Sequence, residues 1–218
     1  MRADSIIFDM DGTLWDPMNV YTEAWNRGFL ESGLNRPISR AELMAMMGWE
    51  KQKVMDKLLP GYDTAVQEKA YLSVSNWLTS LMNEMDGVIY EGVQAGLAQL
   101  AEKYKLFIVS NCPEGIIRLF MKRAGIEQYI TDEMAHGVNF QPKSHNIKLL
   151  MDKYQLNRPV YVGDTNGDSE QSRLAGIPFG FMSYGFGTTE LYDMKFEDFS
   201  AFTDYFVRIV QVVDIRRY

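Results

Sequence analysis

Cysteine is almost missing from this 218-residue chain: Cys112 stands alone, which excludes an internal disulfide framework and any cysteine-rich zinc site within one chain. A reducing compartment, the cytoplasm, is the natural expectation. Histidine is nearly as scarce, and His136 and His145 are isolated. No apolar run approaches the roughly 18 to 20 residues that cross a bilayer. The N-terminal stretch Ile6 to Phe8 is interrupted at once by Asp9, which fits neither a signal peptide nor an anchor. Basic runs are lacking as well. With a formal net charge of −7, and a tail pair Arg216, Arg217 too short to form an arm, the chain does not look like a binder of nucleic acid. No G-x-G-x-x-G follows the first apolar run, which argues against a dinucleotide-dependent oxidoreductase. Internal repeats and low-complexity segments are absent.

What remains is ordinary globular material, 46% hydrophobic and 23% charged, long enough for about one and a half domains. Four short apolar runs read as buried strands: Ser5 to Phe8, Leu106 to Val109, Pro159 to Val162 and Phe179 to Met182. Helical patterns lie among them at Gly92 to Tyr104, Glu114 to Ala124, Ser144 to Tyr154 and Asp168 to Ala175. Strands alternating with helices imply βαβ units, so the expected class is α/β, a doubly wound, mostly parallel, Rossmann-like sheet. Phe202, Tyr205, Phe206, Ile209, Val210 and Val213 recur at helical spacing and predict a closing amphipathic helix.

Residues 17–87 break the alternation. Tyr21, Trp25 and Phe29 recur every four residues, Ser39 with Glu42 forms a capping-box pattern, and Val66 to Met85 marks a longer helix. The expectation is an all-helical cap, 17–87, inserted into a core of residues 1–16 and 88–218. Pro60-Gly61 and Asp86-Gly87 are its clearest turns. Met18, Met44, Met46, Met47, Met55, Met82 and Met85, half of the chain's 14 methionines, lie in this block. They read as gap fillers of a small core, with an adaptable substrate wall as the alternative.

The first strand ends in Asp9-Met10-Asp11-Gly12-Thr13. Residues i and i+2 of an extended segment share a face, so two carboxylates meet there, which is unfavourable unless a cation or a shared proton relieves them. Gly12 permits a turn that leaves amides facing an anion. A polar strand-to-loop turn is the plain alternative. Asp164 and Asp168 follow another strand and lead into a helix. In one parallel sheet the four carboxylates converge at the carboxyl edge, where such sheets place ligands, and an all-oxygen donor set favours Mg²⁺. Simple capping of the helix is the alternative for the second pair. Ser110-Asn111 ends a strand at the same edge and offers donors to a phosphate oxygen, or plain turn chemistry. Lys143 opens a helix, where the dipole disfavours a cation. It reads as a counter-charge to the carboxylates, or as a solvated lysine.

These four segments together resemble the haloacid dehalogenase-like hydrolase superfamily, in its phosphoglycolate-phosphatase-like branch with a helical cap. The resemblance spans roughly residues 4–187 and matches the cap only in position and helical character. It implies Asp9 as nucleophile, Asp11 as general acid/base, and Mg²⁺ held by Asp9, the Met10 carbonyl and Asp164, assisted by Asp168. Ser110, Asn111, Lys143 and the amides near Gly12 would hold the phosphate. The family often continues its lysine as Lys-Pro, whereas here Pro142 precedes Lys143 and Ser144 follows it. The implied activity is Mg²⁺-dependent hydrolysis of a small phosphorylated metabolite through an aspartyl-phosphate, without a nucleic-acid or membrane partner. A phosphomutase of the beta-phosphoglucomutase type uses the same pair of aspartates. A phospho-aspartate signalling domain shares the ingredients but places its phosphorylated aspartate mid-chain and lacks a helical insertion. In the cap, Arg36, Arg40, Trp49 and Lys51 are candidate substrate contacts, each with a solvated surface as the alternative. Cys112 reads as a packing residue.

Overall fold

A computed structural model describes residues 3–85 and 87–215, with side chains of the last helix through Arg208. Asp86, Arg216 and Arg217, and the side chains of Ile209, Val210 and Val213, lie outside what is described. The chain begins with β1 (Ser5–Phe8) and a two-residue β2 (Trp15–Asp16). Four helices follow: α1 (Met18–Glu31), α2 (Arg40–Met44), α3 (Lys51–Leu58) and α4 (Thr64–Glu84). After β3 (Val88–Ile89) come α5 (Val93–Ala101), β4 (Lys105–Ser110), α6 (Ile116–Ala124), β5 (Asp132–Ala135), the short α7 (His136–Asn139) and α8 (Lys143–Tyr154). The chain closes with β6 (Pro159–Gly163), α9 (Asn166–Ala175), β7 (Phe179–Met182), β8 (Met194–Phe196) and α10 (Phe199–Ile215).

Six strands form one sheet in the order β5-β4-β1-β6-β7-β8. Every pairing in it is parallel, so the mostly parallel expectation tightens to fully parallel. β1 lies between β4 and β6, with Phe8 opposite both Ile108 and Val162. The strand order reverses there, and the crevice at the carboxyl ends of such strands is where an open α/β sheet binds ligands.

Alternation along the strands divides the core. Ile6, Phe8, Leu106, Ile108, Val160 and Val162 face one layer with Leu97, Phe120, Phe202 and Phe206. Ile7, Phe107, Val109 and Tyr161 face the other with Ile147 and Leu150. A period of two with both faces apolar is what a sheet covered by helices on both sides requires.

The helices α1 to α4 bury a separate cluster that includes Met18, Phe29, Leu43, Met55, Leu58 and Val74. Gly28 makes it possible, because a Cβ there would stand 2.6 Å from the Val74 backbone of α4. Met18, Met46, Met55 and Met82 are buried while Met44 is exposed, so packing accounts for the four buried ones. β2 and β3 pair antiparallel as a ribbon at the two points where the chain enters and leaves these helices. Among the described residues no helix is long and apolar enough to cross a membrane.

Candidate active site

Asp9 leaves the end of β1 with its amide still donating to the Val162 carbonyl at 2.7 Å, so the sheet register fixes it at the crevice. Ser110 ends β4, Lys143 opens α8, Asp164 follows β6, and Asp168 lies in the first turn of α9. Five positions separated in sequence thus meet at one edge. Lys143 Nζ lies 2.8 Å from Asp9 Oδ1 and 2.7 Å from Asp168 Oδ1, and all three side chains are almost wholly buried. Buried lysine is rare unless paired. Burial alone would lower its pKa, but Asp168 and Asp9 together hold it well above the usual lysine range. The solvated-lysine alternative is thereby excluded.

The carboxylates of Asp9, Asp164 and Asp168 offer oxygens within 4.8 Å of one another. Asp11 is buried beside them, so four carboxylates share one cation of the protein. Burial, followed by repulsion from its neighbours, pushes Asp9 well above the ordinary carboxylate range, with Lys143 opposing. For Asp164, burial and then repulsion from Asp168 raise the pKa to about 7. An all-oxygen cluster with uncompensated negative charge fits a hard divalent cation such as Mg²⁺.

Hydrogen bonds decide which oxygens remain free. Asp168 accepts at Oδ1 from Lys143 (2.7 Å) and Tyr161 (3.3 Å), and at Oδ2 from the Thr165 amide (3.0 Å) and hydroxyl (2.6 Å). Its four lone-pair positions are taken, and Thr165 with Asp168 completes a capping box on α9. The capping alternative and a role at the site therefore hold together: Asp168 caps the helix and anchors Lys143. Asp164 accepts from Thr13 Oγ1 at 3.3 Å and the Phe186 amide at 2.7 Å, which leaves capacity on each oxygen. Gly12 has φ +87°, and a Cβ there would overlap the Asp164 carboxylate.

The Met10 carbonyl, an expected metal ligand, accepts from the Leu14 amide at 2.9 Å and the Thr13 amide at 3.3 Å, two bonds that close the turn after β1.

Asp11 is held by two residues the sequence reading did not connect with it. Trp15 Nε1 donates to Oδ1 at 2.8 Å and Tyr21 Oη to Oδ2 at 3.0 Å. Burial raises its pKa to about 6, against the opposing pull of these two bonds. In the sequence Tyr21 stands only as part of the helical stripe Tyr21, Trp25, Phe29. Asn111 also differs from a simple phosphate contact: its Nδ2 donates at 2.8 Å to the Gly48 carbonyl between α2 and α3, and its buried Oδ1 has no partner. It ties the sheet edge to the helical block.

A cavity of about 80 Å³ opens between the sheet edge and helices α1 to α4. Asp9, Asp11, Ser110, Asn111 and Lys143 form its floor, and Trp49 and Lys51 line its wall. Arg36 and Arg40 are engaged elsewhere, with Glu42 and Asp16. Cys112 is buried in the cavity wall, and burial first of all pushes its thiol well up, as suits a packing residue.

Residues 6–182 match the family model for haloacid dehalogenase-like hydrolases. The chain is 25% identical to phosphoglycolate phosphatase of Rhodospirillum rubrum, over 92% of this chain and 90% of that protein. Its identity to the plasmid phosphoglycolate phosphatase of Cupriavidus necator is 28%, over 85% and 83%. A crystal structure described as a predicted phosphatase from Clostridium acetobutylicum shares the fold, with a TM-score of 0.82 at 16% identity over 95% of this chain and 100% of that one. With the sheet-edge carboxylates and lysine in place, the chain belongs to the haloacid dehalogenase-like hydrolase family, on the branch whose curated members are phosphatases.

Proposed function

We propose that this hydrolase is a Mg²⁺-dependent phosphatase that cleaves small phosphate monoesters through an aspartyl-phosphate on Asp9, with residues 17–87 as a cap over the core 1–16 and 88–218. The observation that carries the reading is the pairing of two unlike carboxylates on one cavity floor. Asp9 is ion-paired to Lys143 beside the acidic cluster, whereas Asp11, free of that pair, sits at a pKa of about 6. Asp9 stands against Lys143 and the other carboxylates, Asp11 against the Trp15 and Tyr21 donors, and such unlike environments suit two carboxylates to two roles.

Asp9 attacks phosphorus as the carboxylate, so one hard displacement becomes two easier ones. Lys143 favours that ionised form against the burial and repulsion that raise Asp9, and offers N–H donors to the equatorial oxygens, with the Ser110 hydroxyl and the amides beyond Gly12. Asp11 gives its proton to the departing alkoxide and then takes one from the water that attacks the phosphorylated aspartate. Asp9 and Asp164, whose oxygens keep free lone pairs, would hold Mg²⁺. Asp168 acts by fixing Lys143. When bound, the metal neutralises phosphate oxygens that would otherwise repel an anionic nucleophile.

Phosphate release from a panel of small esters, with and without Mg²⁺, tests the reading. Metal-dependent release that disappears in Asp9→Asn is expected. Persistent turnover by Asp9→Asn would overturn the nucleophile, and accumulation of an isomeric sugar phosphate in place of free phosphate would establish the mutase instead.

A further inference from the structure

The leaving-group end of this cavity has a chemistry of its own, and we infer that the physiological substrate is the monophosphate of a compact, uncharged, apolar alcohol. This inference rests on the phosphatase reading and narrows it. Trp25, Leu43, Met46, Val54, Val74 and Leu78 line the cavity that Asp11 borders, together with the rings of Trp49 and Tyr71. The leaving oxygen must come within reach of Asp11 to receive its proton. Asp11 borders this cavity and not the larger polar groove beside Thr165 and Gln171, although the two share Asn111 and Lys143, so a compact leaving group protonated by Asp11 sits among these side chains.

Among the described residues, two cations line the cavity. Lys143 is committed to Asp9 and Asp168 on the floor. Lys51 is neutralised on the spot: its Nζ donates to both oxygens of Glu68 at 2.6 Å and lies 4.8 Å and 5.1 Å from the ring centroids of Tyr71 and Phe140. The Tyr21 hydroxyl is spent on Asp11. A glycolate leaving group, carrying a carboxylate, would therefore be buried against apolar surface without a free counter-charge, which is strongly unfavourable. A sugar meets one unpartnered acceptor on the lining, the buried Asn111 Oδ1, and sets its remaining hydroxyls against apolar side chains. A branched alkyl group loses nothing there and gains by burial.

The test compares isobutyl phosphate with 2-phosphoglycolate and glycerol phosphate at one pH and Mg²⁺ concentration, since alkyl leaving groups avoid the intrinsic advantage of phenols. A kcat/KM at least tenfold higher for isobutyl phosphate is expected, and equal or better use of phosphoglycolate or glycerol phosphate would overturn the inference. Release from none of the esters would sink the phosphatase reading instead. In that event calorimetry with phosphonate analogues, carbon replacing the bridging oxygen, still decides the substrate class: the branched alkylphosphonate binds at least tenfold more tightly than 3-phosphonopropionate, or the inference fails. Glu68→Gln provides a second arm by releasing Lys51. It raises kcat/KM for phosphoglycolate at least fivefold and leaves isobutyl phosphate unchanged, whereas an unchanged ratio of the two would refute the neutralised wall.

Discussion

Replacing Tyr21 by Phe removes one hydrogen bond from the proposed general acid while keeping the ring in the cavity wall. The hydroxyl donates to Asp11 Oδ2 at 3.0 Å, and Trp15 continues to hold Oδ1 at 2.8 Å. A buried hydrogen bond to a charged group contributes about 1.5–3 kcal/mol, and about 1.36 kcal/mol corresponds to one pKa unit. The bond favours the carboxylate, so its loss raises the pKa by about one to two units from the present value of about 6. The acid then stays protonated to higher pH. For an alkyl phosphate, whose leaving alkoxide needs that proton, the alkaline limb of kcat/KM moves upward by about one to two units. Profiles of wild type and variant on one ester cancel the titration of the substrate. With 4-nitrophenyl phosphate, whose leaving group needs little proton transfer, the limb stays where it is. An unmoved limb on the alkyl ester, at undiminished activity, would refute the assignment of Asp11 as acid and of Tyr21 as the residue that tunes it.

Lys143→Met leaves Asp9 and Asp168 without the partner now 2.7–2.8 Å away; a loss of about 3–5 kcal/mol in urea unfolding of the metal-free protein is expected, and a loss below about 1 kcal/mol would place the lysine in solvent. Gly12→Ala puts a Cβ onto the Asp164 carboxylate at a φ of +87°, so turnover falls at least about 100-fold through displacement of the site, measurable by phosphate release. Asp164 titrates at about 7 in the folded protein against 3.8 for a free aspartate, and Asp9 is raised as well. The metal-free native state therefore holds protons that the unfolded chain has released, and its stability declines as pH rises from about 4 through about 7. Mg²⁺ competes with those protons, so the gain in Tm on adding it is larger at pH 8 than at pH 5; an equal gain at both would remove the metal from these carboxylates.

The central strands were legible because burial on both faces writes a continuous apolar run, as in Ser5–Phe8 and Pro159–Gly163. The sheet strands that the sequence does not announce are β5, with the polar sequence Asp132–Ala135, and β8, Met194–Phe196. Both are short edge strands, paired on one side and half solvated, and such strands carry no apolar run to read. The ribbon of β2 and β3 is two residues long on each side and leaves no periodicity. At the site, side chains on loops directly after strands were visible by type and spacing. Their supports were not: Trp15 and Tyr21 reach Asp11 across a turn and a helix, and Tyr161 reaches Asp168 from within a strand. Thr165 is the exception that could have been found, since Thr-x-x-Asp before a helix is itself a capping signal. Helix α9 accordingly begins at Asn166, two residues before the pattern suggested.

The claim on which everything else depends is that Asp9, and not water, first attacks phosphorus. Transfer to an acceptor alcohol from an ester made chiral at phosphorus with three oxygen isotopes, or hydrolysis in ¹⁷O-water of a phosphorothioate ester made chiral with ¹⁶O and ¹⁸O, reports this directly. Two successive in-line displacements through Asp9 predict overall retention of configuration. Inversion would mean a single attack by water and would contradict the account.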